Sequence, residues 1–208
     1  LNIVTHTNMR QGQFGKVYAG GGYDFEQEEF RYLAGGNVNV FSGDSRLSVI
    51  ALFNNVNQQN FSFEDILGVN GGGGGGRGRG AGAYMVRPQP GVARVNAVGL
   101  NYSDSWGKEN QVTFQGSYFF NHTNTVNHST RDRWSEFYTT LDEEQILQRD
   151  TLSEAGNSET ANMNHRFNAR LEWKISPNQS LMSRTSFSYQ GNNPNSTTEG
   201  YQYGESGL

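Results

Sequence analysis

From Asn162 to Ile175 the chain alternates residue by residue. Met163, His165, Phe167, Ala169, Leu171, Trp173 and Ile175 fall on one side, and Asn164, Arg166, Asn168, Arg170, Glu172 and Lys174 on the other. Period two is the signature of an extended strand, whose successive side chains leave opposite faces of a sheet. The same alternation predicts strands over Gly15–Tyr23, Tyr32–Phe41, Arg46–Asn55, Val92–Asp104, Gln111–His122 and Leu181–Tyr189. Several of these are longer than the usual five or six residues of strands in soluble sheets. A strand tilted about 45° needs roughly 9–11 residues to cross a bilayer.

The connections differ from one another. Ser42-Gly43-Asp44-Ser45, Ser105–Asn110 and Ser176-Pro177-Asn178-Gln179 read as short turns. The stretches 56–91 and 123–160 read as long polar loops, the first with a glycine tract over Gly71–Gly82, the second with a helical turn or two over Thr140–Leu147. Short and long connections therefore alternate, apart from a short first connection at Asp24–Glu29. Outer-membrane barrels place short turns on one side of the membrane and longer loops on the other. The tail from Gln190 reads as polar and rich in glycine and asparagine, with two tyrosines but too little alternation to define a strand. The fold expected is all-β: an antiparallel up-and-down meander of about seven long strands, forming part of a transmembrane β-barrel. A soluble β-sandwich glycan-binding module shares much of this pattern, with the charged row facing water. It predicts refolding in water without detergent. A small complete barrel, serving as an adhesin or structural protein, needs an even strand number and so an eighth strand within Thr197–Leu208.

Composition narrows the function classes. Of 208 residues 34% are hydrophobic, yet aromatics reach 12% and charged residues only 17%. So many aromatics argue against simple disorder, and so little charge argues against a solvated helical bundle. The chain has no cysteine, hence no disulfide, thiolate metal site or cysteine nucleophile. Its net charge is −4, which implies no general attraction to nucleic acid. Arg77 and Arg79 in the glycine tract lack the Gly-Lys-Ser/Thr and following helix of a phosphate-binding loop. The four histidines, His6, His122, His128 and His165, show no metal-ligand spacing, so no metal and no cofactor is expected. No nucleophile, base and orienting group form a recognisable set, and an enzyme is not expected.

Several segments together resemble the TonB-dependent outer-membrane receptors of Bacteroidetes. Ile3-Val4-Thr5 followed by Gly12-Gln13-Phe14-Gly15-Lys16-Val17-Tyr18-Ala19-Gly20 is similar to the junction between their plug and barrel. Gly35-Gly36-Asn37-Val38-Asn39, Phe53–Ser62, Glu64-Asp65-Ile66-Leu67-Gly68, Gly99–Asp104 with Trp106-Gly107-Lys108, and Gly116–Asn121 resemble their early barrel strands in the same order. The resemblance implies that residues 1–7 end a plug domain and that 8–208 begin a barrel. It also implies that the chain is a fragment or truncated product, since the family's barrels have 22 strands. The implied function is energy-coupled uptake of a glycan, peptide or metal chelate across the bacterial outer membrane. The implied partners are outer-membrane lipid, the TonB complex acting through an N-terminal region beyond this sequence, and a surface lipoprotein. On this reading the loop aromatics Phe61, Phe63, Tyr84, Trp134, Phe137 and Tyr138 are the ligand-binding candidates, because aromatic faces bury area at low entropy cost. Arg166, Arg170, Glu172 and Lys174 are the lumen-facing candidates.

Overall fold

The computed structural model describes residues 11–62, 85–141 and 144–206. These form one antiparallel sheet of seven strands: β1 (Gln11–Asp24), β2 (Glu29–Ser42), β3 (Ser45–Asn54), β4 (Val92–Trp106), β5 (Val112–Leu141), β6 (Glu144–Ser176) and β7 (Gln179–Ser206). Spatial order equals chain order, so every strand pairs only with its sequence neighbours. The sheet is an open meander: it does not close on itself, and among the described residues β1 and β7 are its edges.

The turns follow local chemistry. Two residues, Gly43 and Asp44, join β2 to β3. The φ of 64° at Gly43 falls at the first turn position, where a type II′ hairpin needs glycine. Between β4 and β5, Gly107, Glu109 and Asn110 all take positive φ. At the opposite end of the sheet, Asp24 closes the β1–β2 turn by accepting hydrogen bonds from the backbone N–H of Glu26 at 3.1 Å and of Gln27 at 3.2 Å.

Two expectations are corrected. Residues 123–160 are not a loop. Strands β5 and β6 continue in unbroken register from Val112↔Trp173 to Leu141↔Glu144, leaving only Asp142 and Glu143 between them. Among the described residues of Thr140–Leu147 the expected helical turns do not occur: Thr140, Leu141 and 144–147 are extended. The tail is also regular: β7 runs to Ser206, paired with β6 as far as Gln148. Beyond Val126 both segments are polar or mixed on each face and bury little, so backbone pairing more than burial holds them in the sheet.

The first long connection behaves differently. Residues 55–62 and 85–91 have no regular structure and lie against one face of the sheet, termed here the inner face. Phe61 of this strap packs with Ile50, Leu52, Ala93, Val95, Ala97 and Phe119, and Leu33 and Val86 flank the group. The rings of Phe61 and Phe119 meet edge-on at 6.2 Å. Its backbone is tied by side-chain amides. Gln59 accepts from Gln89 N–H at 2.7 Å and donates to Gln89 O at 2.8 Å, while Asn60 does the same for Val86 at 2.7 and 3.0 Å.

Away from that cluster the sheet is inverted relative to a soluble one. The buried inner positions are polar: Asn37, Asn39, Ser48, Asn54, Asn121, Thr123, Thr125, Asn162 and Asn164. The opposite, outer face exposes Val17, Val38, Val40, Leu47, Leu100, Trp106, Phe167, Trp173, Ile175, Leu181, Phe187 and Tyr189. Seven apolar side chains make up the whole buried cluster among the described residues.

Candidate functional site

The inner face is the first candidate surface. Register places Arg166, Arg170, Glu172 and Lys174 on it, in line with buried Asn162 and Asn164. Arg166 donates from Nη1 to Met85 O of the strap at 3.3 Å, and its guanidinium lies 5.8 Å from the centre of the Phe119 ring. Arg170 pairs with Glu172 two residues along the same strand. Toward the short-turn end, Asn101, Ser103, Gln115, Ser117, Asn168, Arg170, Arg184 and Ser186 line a concavity of about 420 Å³. Beside the strap, a second concavity of about 310 Å³ is lined by Gln59, Arg87, Gln89 and the inner residues Asn121, Thr123, Asn162, Asn164 and Arg166.

The aromatic candidates divide. Phe61 is only 4% exposed, so its ring serves the strap's anchorage and offers no face to a ligand in this arrangement. Phe63 and Tyr84 lie outside the described residues. Trp134, Phe137 and Tyr138 lie on the part of β5 that runs past β4, which ends its pairing at Val92↔Val126. At about 3.4 Å per residue, this ribbon of β5, β6 and β7 reaches roughly 50 Å beyond that point.

Alternation sorts the ribbon's side chains. Trp134 and Tyr138 share a face and Phe137 takes the other. The pairing of Trp134 with Thr151 and of Thr151 with Tyr203 puts Tyr203 on the Trp134 face, and Tyr201 follows it there through Ser153. All four rings on that face are more than half exposed. Arg149 stacks over Trp134 at 5.8 Å and donates from Nε to Glu136 at 3.0 Å, which fixes the centre of the platform. Tyr201 and Tyr203 escaped the sequence reading as ligand contacts. Their one signal is the alternation of Gly200-Tyr201-Gln202-Tyr203-Gly204, too short to define a strand without its partner.

A polar latch joins the β1–β2 turn to the start of the strap. Arg31 pairs with Asp24 at 3.3 Å and with Glu29 at 3.1 Å, and Arg94 reaches Glu29 at 3.1 Å. Asn55, 3% exposed, accepts from Tyr32 N–H at 2.7 Å and donates to Phe30 O at 2.8 Å. The Gln27 N–H, opposed by partial burial and supported by the Glu26 N–H and Arg31, holds the Asp24 carboxyl below its ordinary value of 3.8. On the outer face, His165 Nδ1 and Tyr118 Oη lie 2.8 Å apart, amid the rings of Phe120 and Tyr189.

No group of three metal-ligating side chains occurs among the described residues. No helix of the described residues is long and apolar enough to cross a membrane, which says nothing of strands. No family model matches the chain, and neither the curated proteins nor the solved structures contain a significant match.

Proposed function

We propose that this chain is a membrane-embedded segment of an outer-membrane β-barrel, and that the barrel is a TonB-dependent receptor for energy-coupled uptake. The observation that carries the membrane reading is the inverted sheet. A soluble sheet turns its apolar face inward and its polar face to water. Here asparagines and threonines are buried while valines, phenylalanines and tryptophans are exposed. An exposed apolar face of this extent needs a cover, and lipid covers the outer face of a barrel whose interior is polar. The apolar outer runs Val112–Phe120, Met163–Ile175 and Leu181–Tyr189 are each long enough for the roughly 9–11 residues of a tilted spanning strand. Trp106, Trp173 and Tyr102 gather toward the short-turn end, where an interfacial girdle would sit.

The receptor assignment rests on the resemblance of the sequence segments. Under it, further strands pair with the edges at β1 and β7, since unpaired backbone is not tolerated in lipid. The ribbon and strap stand on the side opposite the short turns. A ligand too large or too scarce for porins would meet the aromatic ribbon face, and force transmitted through TonB would open the plugged lumen.

Fractionation of native cells tests both levels. An antibody to the Asn162–Tyr189 hairpin is expected to detect, in the outer-membrane fraction, a band several times heavier than 208 residues account for. A band of this chain's own size in that fraction would retain the membrane reading and discard the receptor. Recovery in the soluble fraction would discard both and favour a water-soluble binding module.

A further inference from the structure

The chain as a whole is acidic, with net charge −4. Its inner face between the strap and the short turns is not. By strand register that face carries Lys16, Arg46, Arg166, Arg170, Lys174 and Arg184. Against these six cations stands one carboxylate among the described residues, Glu172. Two of the arginines oppose each other directly, since Arg170 and Arg184 are cross-strand partners on β6 and β7. Like charges facing each other in this way destabilise a sheet. Glu172 takes one Nη of Arg170, but the Nε of Arg170 is buried with no hydrogen-bond partner. A buried N–H of a charged group without an acceptor is costly. Both arginines line the 420 Å³ concavity, together with the neutral donors Asn101, Gln115, Ser117, Asn168 and Ser186.

We infer that Arg170 and Arg184 form an oxyanion site that takes a carboxylate group in this concavity. The planar guanidinium presents donors in a fork that matches a carboxylate bidentately. Such a group accepts from the guanidinium N–H groups that the two arginines present to the concavity, and it relieves the repulsion between the two cations. The site is defined by the inner face alone and does not depend on what covers the outer one, so its failure would leave the membrane reading untouched.

The test is arginine modification by phenylglyoxal on the intact protein, purified from whichever fraction holds it and read peptide by peptide in a mass spectrometer. Millimolar citrate is expected to slow labelling of Arg170 and Arg184 several-fold, while Arg131 and Arg133 on the ribbon label at an unchanged rate. Chloride at matched ionic strength gives no comparable protection, and Arg184→Gln abolishes the citrate effect at Arg170. Protection that appears only with citrate assigns the carboxylate to a solute. Shielding already present without citrate, and lifted by high salt, assigns it to an acidic group of the protein itself. Labelling that citrate slows no more than chloride does overturns the site, as does shielding that salt does not lift.

Discussion

Phe61 shows what one residue does for the strap. Its ring is the anchor that brings a stretch without strand pairing down onto Leu52, Val95 and Phe119. Phe61→Ala is expected to cost about 3–5 kcal/mol, the usual range for emptying a buried aromatic site. Denaturant unfolding would report it, together with faster proteolysis of the strap. Nothing in the sequence marks Phe61 as buried, because its neighbours Asn60 and Ser62 are polar and the strap has no period. Its partners Val95, Ala97 and Phe119 sit more than thirty positions away, and only the sheet brings them together. Asp24 supports a second expectation at this scale. A carboxyl held below 3.8 in the folded state contributes stability that is present above that value and lost as the pH falls through the lowered one. The amide resonances of Glu26 and Gln27 should therefore titrate together with a midpoint below 3.8, and Asp24→Asn should remove the transition.

At the level of elements, β1 to β4 were legible and the distal halves of β5, β6 and β7 were not. Asn162–Ile175 announces itself because apolar and charged residues alternate. From Asn127 to Leu141 both faces are polar or mixed, so period two has no contrast to show. The aromatic platform was hidden for the same reason, as Trp134 and Tyr203 meet only through strand pairing. A ribbon without a core should also be the least protected part of the sheet, since local stability follows buried contacts. Hydrogen exchange is expected to be faster for amides of 129–138 than for 114–123 on the same strand. Equal protection would mean that something covers the ribbon. Gly36 makes a complementary point in β2. Its φ is 149°, and a Cβ there would run into the carbonyl oxygen of Lys16 on β1. Gly36→Val should therefore loosen the β1–β2 pairing, seen as lost protection of Lys16–Ala19, while β5–β6 stays protected.

For the whole molecule, the all-β meander and its seven strands follow from the alternation, whereas the buried polar face follows only from the arrangement in space. The sequence shows which residues share a face but not which face is covered. An outer-face charge separates the two solvents. In a bilayer, Phe167→Arg should destabilise by about 2–4 kcal/mol if it lies near the midplane, whereas a surface substitution in water usually changes stability by within about 0.5 kcal/mol. Folding into lipid vesicles from denaturant gives the comparison directly.

Strand order that equals chain order has a further consequence. No segment has to be threaded past another, so the molecule is divisible. A break in the polypeptide at Gly43-Asp44 or at Pro177-Asn178 would sever one covalent link and leave every row of backbone bonds in place. Two pieces expressed separately would each present the other's missing edge, and one ladder would be enough to rejoin them. The sheet can thus be written, stopped and resumed hairpin by hairpin, with its register carried by the last strand laid down.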